Sequence, residues 1–414
     1  MSENLFVVAG LDIGNGYVKG SVQGVDGQRE IIDIPSCTAY VPYSPEIKLE
    51  PSEIPAFMDN IYDNMDVTFD SKLVTQANAR RLFGRRAVQG GKNLVSFDVS
   101  GGDYKADQEL SPVLTLGCVA AKALRDYYKM HNALPSDILT VEVYAALSLP
   151  IIEFQQKREA YKHSYERQSH IVTFNDFDIP ARVNVVFKEV TVQPEGACAN
   201  YAIYMLGDDI IASMLPDVHR ANPAHAGFTV DDILNTDNTL SIDIGEGTVN
   251  FPVFLGGNFK PDVSATLNMG YGAVLTDAMD ALRRDGRIYS SRKMLAEALQ
   301  TPITNINRAR LEPVHLIVNA HVQGFVQSIR DEVARLMAHV GASIDVVYVY
   351  GGGATPVREC LEPVLRELVR DKPLLYMDSS YSRKLNREGL AIVAARHKEE
   401  ADKKAAEAAA RSGQ

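Results

Sequence analysis

The sequence predicts an α/β protein built as two similar halves. Two observations carry that reading. Strand-like apolar runs alternate with long helical stripes along the chain, and one short pattern occurs twice. The pattern is an apolar run, an aspartate, an apolar residue, a glycine turn and a second apolar run. It stands at Leu11-Asp12-Ile13-Gly14-Asn15-Gly16-Tyr17-Val18-Lys19 and again at Ile242-Asp243-Ile244-Gly245-Glu246-Gly247-Thr248-Val249-Asn250. At 414 residues the chain is long enough for two or three domains of ordinary size.

The first half opens with three strands. Leu5 to Asp12 is apolar, Gly14-Asn15-Gly16 turns the chain, Tyr17 to Val22 returns, and Asp26-Gly27 turns it again into Glu30 to Ile34. Residues 36–110 are polar, rich in Pro and Asp and poorly periodic, which predicts a smaller inserted subdomain. Ser111 followed by Pro112 predicts a helix start, with an apolar face through Leu116, Val119, Ala123 and Tyr127. A strand from Thr140 to Leu149 stops at Pro150.

The second half begins near Thr191 and repeats the theme. The stretch from Gly207 to Asn238 contains Pro and Asp and predicts an irregular insertion. Leu240 to Ile244 is a short strand, and Val249 to Leu255 returns, with Pro252 predicting an edge or bulge. Val318, Val322, Phe325, Ile329, Val333, Leu336 and Val340 form a helical stripe stopped by Gly341. The strand Val346 to Tyr350 then runs into Gly351-Gly352-Gly353. From Lys398 the tail is Ala, Lys and Glu, an exposed helix or a disordered end without the apolar stripe of a membrane-surface helix.

Composition narrows the function classes. With 46% hydrophobic and 23% charged residues the chain is neither disordered nor fibrous. No apolar run approaches the ~18 residues of a membrane-spanning helix. Met1-Ser2-Glu3-Asn4 is acidic and leads into a strand, which is no secretory signal. Cys37, Cys118, Cys198 and Cys360 are widely spaced, the pattern of reduced thiols in a cytoplasmic protein. A net charge of −11, from 53 acidic against 42 basic residues, disfavours direct nucleic-acid binding. The pairs His315/His321 and His219/His225 lack the i, i+4 spacing of a helical metal site. Arg80-Arg81 and Arg85-Arg86 read as a solvated face or a subunit contact.

The repeated pattern has a chemical logic. Glycines let a turn bring its N–H groups close to an anion, and an aspartate at the strand end can hold a hydrated divalent cation facing phosphates. Two such loops could clamp a polyphosphate. The Gly351 to Ala354 loop has the backbone freedom to pass against a purine and ribose.

At these three segments the sequence resembles the actin-like ATPase superfamily, and within it the bacterial plasmid-segregation actins of the ParM and StbA type. Leu149-Pro150, Phe83-Gly84-Arg85-Arg86-Ala87, Gln193-Pro194-Glu195-Gly196-Ala197 and Asn386-Arg387-Glu388-Gly389-Leu390 are similar to further segments of those proteins. The resemblance implies an actin-like fold, two ribonuclease-H-like α/β domains around a nucleotide cleft with smaller inserted subdomains. The domains would be 1–190, with the insertion at about 36–110, and 191–384. A final helix, 385–397, would return to the first domain before the charged tail 398–414.

The resemblance also implies roles. Asp12 and Asp243 would hold Mg²⁺ through water. Gly14, Asn15, Gly16, Gly245, Glu246, Gly247 and Thr248 would meet the phosphates, with Tyr17, Lys19 and Gly270 beside them. Gly351, Gly352, Gly353 and Ala354 would line the nucleoside, Gly352 closest. Glu195 would orient the attacking water, with Gln193 its competitor. The implied protein is a filament-forming ATPase using ATP, or alternatively GTP, with Mg²⁺. It would segregate plasmid or phage DNA through a DNA-binding adaptor protein, without contacting nucleic acid or membrane itself. Small-molecule kinases and membrane-associated cytoskeletal actin homologues share the fold and are the rival readings. An Hsp70-like chaperone would need a substrate domain after the ATPase core.

Overall fold

The computed structural model describes residues 5–41, 48–76, 79–90, 93–98 and 104–412. The Met1-Ser2-Glu3-Asn4 terminus, parts of the 36–110 segment and the last two residues of the tail lie outside the described residues. The chain folds into two compact units. One takes the chain up to Leu149, Glu153–Pro194 and everything from Asn386 on; the other takes Pro150–Ile152 and Glu195–Leu385. The expected boundary at 190/191 therefore falls inside a strand, and the chain changes unit only after Pro194.

Among the described residues the first unit holds a ten-stranded sheet. Its strands are β1 (Leu5–Ile13), β2 (Tyr17–Gln23), β3 (Arg29–Pro35), β4 (Cys37–Tyr40), β5 (Asp66–Asp70), β6 (Arg81–Phe83), β7 (Leu94–Ser96), β8 (Leu139–Leu149), β9 (His170–Phe174) and β10 (Ala181–Pro194). They lie in the order β3-β2-β1-β8-β10-β9-β5-β6-β4-β7. The central strands β1, β8 and β10 are parallel. Parallel strands are covered on both faces, and β1 and the C-terminal part of β8 are accordingly buried.

The helix Leu110–His131 packs on these central strands and begins one residue before the expected cap. Ser111 and Pro112 lie in its first turn, where N–H groups have no intrahelical acceptor and proline is tolerated. The expected single apolar face is replaced by burial on nearly every side, Lys122 and Asp126 included. Those two can be buried because Lys122 Nζ donates to Asp126 Oδ1 at 2.6 Å.

The 36–110 segment adds β4 to β7 to the same sheet through β9. Its polarity misleads because the charges are paired. Arg80 pairs with Asp66, Arg81 with Glu109, and Arg86 with Asp176 at 2.5 Å. Arg81 is only 1% exposed and its guanidinium also lies 4.4 Å from the centre of the Tyr40 ring. Of the four arginines read as a solvated face, only Arg85 is largely exposed.

The second unit holds, among the described residues, a seven-stranded sheet. Its strands are β11 (Thr239–Ile244), β12 (Val249–Phe251), β13 (Val253–Leu255), β14 (Asn258–Phe259), β15 (Ala265–Leu267), β16 (Val346–Tyr350) and β17 (Leu374–Tyr376). β11 runs parallel to β16 and antiparallel to the returning β12 and β13, and β16 is parallel to β17. Every residue of β11 and β16 is buried. Pro252 is neither on an outer edge nor idle: it parts β12 from β13, and its C=O accepts the Ser241 N–H at 3.0 Å. The two halves then take different outer partners, β15 and β14.

The helix Arg308–Val340 contains the expected stripe and extends it towards the N-terminus. The stretch 207–238 is not irregular. It forms the helices Asp208–Ala221 and Val230–Leu234, the second opened by a reciprocal Thr229–Asp232 capping box. Pro216 inside the first of these hides its periodicity. Its apolar residues Ile210, Ile211, Met214 and Val218 pack with Tyr348, Tyr350 and Leu375.

The last helix, Leu385–Ser412, lies against β1 of the first unit at Gly10, where a Cβ would stand 2.6 Å from the Leu390 carbonyl carbon. Its tail is helical and mostly exposed, with Lys398 Nζ 4.5 Å from the Phe6 ring centre. Among the described residues no helix is long and apolar enough to cross a membrane.

Candidate functional site

The two copies of the repeated pattern fold alike. In the first unit the Gly14 N–H donates to the Tyr17 C=O at 3.1 Å, and Asp12 is paired across the hairpin with Lys19. In the second unit the Gly245 N–H donates to the Thr248 C=O at 2.9 Å, and Asp243 is paired with Asn250. Glycine is required at the head of each turn. A Cβ on Gly14 would lie 2.9 Å from the Tyr17 oxygen, and one on Gly245 would lie 3.0 Å from the Thr248 oxygen. Asp12 and Asp243 are each 6% exposed.

Each aspartate stands near the C-terminal end of a strand that has a parallel neighbour, where open α/β sheets place ligands. In the first unit Ser148 Oγ on β8 donates to Asp12 Oδ1 at 3.2 Å, and Gln193 on β10 is the register partner of Ser148. Asn15 and Gly16 are half-buried, Tyr17 is exposed, and the half-buried Lys19 faces Asp33 in the ladder with β3.

In the second unit the loop is held by the helix Tyr271–Arg284. The Tyr271 N–H donates to the Gly245 C=O at 3.0 Å and the Gly272 N–H to the Glu246 C=O at 2.8 Å. Gly270 sits so close that a Cβ would run into the Glu246 main chain. Glu246 is paired with Arg292 at 2.8 Å, while Gly247 and Thr248 are half-buried. The structure thus gives Gly270 and Glu246 a part in shaping the loop.

The triple glycine closes against the same strand. Gly351 has φ +99°, and a Cβ on it would stand 2.5 Å from Asp243 Oδ1. The Gly353 N–H donates to the Ile244 C=O at 2.8 Å, and a Cβ there would meet Ile244 Cγ2 at 2.8 Å. Gly352 is exposed, and the nearest atom to a Cβ there is Arg383 Cγ at 3.9 Å. The fold therefore demands glycine at 351 and 353, whereas a Cβ at 352 would make only ordinary contact with Arg383. Ala354 is buried and opens the helix Ala354–Leu368.

Glu195 and Gln193 fall in different units. Glu195 belongs with Asp243. Gly196, at φ +81°, approaches it closely enough that a Cβ would lie 3.2 Å from Asp243 Cβ. The Tyr350 hydroxyl donates to the Gly196 C=O at 2.6 Å. Burial first, and then the Asp243 charge, push that phenol well above its ordinary range, so it stays a neutral donor. Glu195 accepts from Asn250 Nδ2 at 3.3 Å, and Asn250 Oδ1 accepts from Thr266 Oγ1 at 2.8 Å. The helix that follows, Ala197–Leu206, has Gly196 as its cap residue.

Ser148 beside Asp12 in the first unit, and Asn250, Thr266 and Tyr350 in the second, have no role assigned from sequence. Asn250 and Tyr350 had a signal there, the first as the last residue of the second repeat and the other as the strand residue before the triple glycine.

Residues 241–363 match the family model described as archaeal actin homologue MreB-like, C-terminal. An archaeal actin homologue is similar in structure with a TM-score of 0.61 at 17% identity, over 94% of this chain and 100% of that one. The chain has the actin-like fold. ParM from Clostridium botulinum, solved as a 15-stranded filament, gives a TM-score of 0.60 at 18% identity over 94% of this chain and 99% of its own. Bacillus thuringiensis ParM with AMPPNP gives 0.59 at 14% identity over 95% and 99%. No curated protein sequence matches the chain. The resemblance to the actin-like superfamily, ParM included, that the motifs carry is borne out.

Proposed function

We propose that the protein is a filament-forming actin homologue that binds and hydrolyses ATP, with GTP the alternative nucleotide. The observation that carries this reading is the pair of Asp-x-Gly turns with one geometry, the second abutted by Glu195 and by the Gly351 loop. Two nearly buried carboxylates beside glycine turns suit Mg²⁺, a hard cation that keeps part of its water shell beside phosphates. The ion would neutralise phosphate charge when bound. Asp12 and Asp243 would hold it through water, and the turns at Gly14–Tyr17 and Gly245–Thr248 would offer main-chain N–H groups to the phosphates.

Phosphoryl transfer depends on positioning and charge neutralisation more than on covalent chemistry. Glu195, fixed by Asn250, would orient the attacking water. The exposed Gly352 would lie against the nucleoside. The archaeal homologue has also been solved with ADP, and filament formation by the Clostridium botulinum ParM supports a self-assembling role. DNA segregation in the cytoplasm through a DNA-binding adaptor is the proposed task; the charge of −11 favours an indirect link to nucleic acid.

The test is phosphate release and light scattering on the purified protein, with and without Mg-ATP. Turnover accompanied by nucleotide-dependent polymers is expected. Asp12→Ala and Asp243→Ala should each abolish turnover and weaken ATP binding less. Wild-type turnover by either variant overturns the assignment, and phosphorylation of a small molecule without polymers replaces it with a kinase.

A further inference from the structure

Tyr350 is the last residue of β16 and stands in register with Asp243 of β11. Its ring is buried in one cluster with Ala199, Ala202 and Ile203 of the helix Ala197–Leu206. A phenylalanine would fill that core equally well, so it is the hydroxyl that needs a reason. The hydroxyl donates to the Gly196 C=O at 2.6 Å. The same carbonyl already accepts the Ala199 N–H at 3.2 Å, so it is not an orphan that the phenol must rescue. Nor does the helix need the phenol to stay in place. Ser241 Oγ on β11 donates to Asn200 Oδ1 at 3.0 Å, and Asn200 Nδ2 donates to Thr239 Oγ1 at 2.9 Å.

What the hydroxyl adds is a grip on one peptide. Gly196 has the left-handed φ of +81° and is pressed so closely that a Cβ would lie 3.2 Å from both Asp243 Cβ and Pro252 Cγ. Close packing confines the residue, and Tyr350 fixes the direction of its carbonyl. Glu195 immediately precedes it and is the first residue of the second unit after Pro194. Its main chain is therefore placed through Gly196, and its carboxylate through Asn250 Nδ2 at 3.3 Å. We infer that Tyr350 is a positioning residue for hydrolysis, acting through the Gly196 peptide to hold Glu195 at the attacking water.

The inference rests on the water-orienting role proposed for Glu195 and names what sets the place of that acid. A strand end is a suitable support, because groups carried on regular elements are held more precisely than groups on loops. The next residue, Gly351, opens the loop proposed to meet the nucleoside, so one strand end serves both the nucleoside and the acid. The phenol transfers no proton in this role. Small displacements of a positioned group cost rate without costing binding, and this separates positioning from affinity.

The experiment is a double-mutant cycle on the full-length protein with Tyr350→Phe and Glu195→Gln. It is read by single-turnover hydrolysis of Mg-ATP and by nucleotide titration. Tyr350→Phe should cut turnover by about 10-fold, the scale of one lost hydrogen bond. Its ATP affinity should match that of wild type. In the Glu195→Gln background the same change should have no further effect, because the group it positions is already gone. A loosened fold would instead lower turnover by the same factor in both backgrounds, and that result overturns the inference. So does wild-type turnover in Tyr350→Phe, or a fall in affinity that matches the fall in turnover. A Tyr350→Phe protein that no longer folds makes the hydroxyl structural and overturns it as well. Full turnover in Glu195→Gln removes the water-orienting reading, and a wild type without turnover removes hydrolysis itself; in either case this inference falls with it.

Discussion

At Gly351 and Gly352 two neighbouring residues of the same type answer different demands. Gly351 has the left-handed φ of +99° and no room for a Cβ, whereas Gly352 has room and is exposed. Gly351→Ala should lower stability by about 1–3 kcal/mol from backbone strain alone. Gly352→Ala should leave the melting temperature unchanged. Gly352→Val should lower nucleotide affinity in a protein that melts like wild type, measured by nucleotide titration beside thermal denaturation; unchanged affinity returns the loop to an ordinary turn.

Lys122 poses the opposite case, a buried cation among carboxylates. It lies 2.6 Å from Asp126, 3.2 Å from Glu30 and 3.6 Å from Asp26. Arg125 and Lys129 also bind Glu30, so Asp126 depends most on Lys122. Lys122→Met should cost about 3–5 kcal/mol at pH 7, because it leaves an uncompensated buried charge. Burial already raises the Asp126 carboxyl, and losing its cation raises it further. A folded-state value above the unfolded one favours the fold as pH falls towards it. The gap between Lys122→Met and wild type should therefore narrow from pH 7 to pH 5 in urea denaturation, and a constant gap refutes the account.

Among the elements, β9 carries a titration of its own. His170 is fully buried; its Nε2 donates to the Tyr165 C=O at 3.0 Å and its Nδ1 accepts from Ser71 Oγ at 2.8 Å. Burial holds the imidazole below its usual 6.5. As pH falls through 6.5 the unfolded chain takes up the proton first, so this residue's contribution to stability is lost on the acid side. Asp176, pushed up to about 6 mainly by burial, acts in the opposite direction, since the folded chain takes up its proton first. The two partly cancel in the wild type, and only a comparison isolates the histidine. His170→Gln should be less stable than wild type at pH 7.5, and the difference should shrink by pH 5.5; a difference that grows on acidification would contradict a neutral buried imidazole.

The elements also show what was legible in sequence. The hairpins at Asp12 and Asp243 were, because alternation, an aspartate and a glycine turn all act within nine residues. The helices at 208–221 and 230–234 were not, since Pro216 and a scatter of aspartates interrupt a pattern that only packing on Tyr348 and Tyr350 completes. The 36–110 strands were hidden by charges that look solvated until Asp66, Glu109 and Asp176 supply partners from a distance. In the site, glycines and acids declare themselves by type. Asn250, Ser148 and Thr266 gain their roles only from cross-strand register, which no local spacing encodes.

At the scale of the whole molecule the question is whether hydrolysis and assembly can be separated, and Glu195 is the residue that separates them. A carboxylate that only orients water contributes more in the transition state than in the bound ground state. Its removal should leave nucleotide binding and polymerisation intact. Glu195→Gln is the sharper change, because an amide keeps the volume and can still accept from Asn250 while losing the charge. Turnover should fall by about 10²–10⁴-fold, the range for a lost acid–base or positioning group. Polymers of the variant should then outlast those of wild type after ATP is exhausted, if hydrolysis is what loosens subunit contacts. Asn250→Ala should lower turnover by a smaller factor, since it frees the carboxylate without removing it. Phosphate release and polymer lifetime, followed in one sample, give the decision. Near-wild-type values of both in Glu195→Gln would end the water-orienting claim and make Gln193, at the end of β10 beside Ser148, the next residue to change.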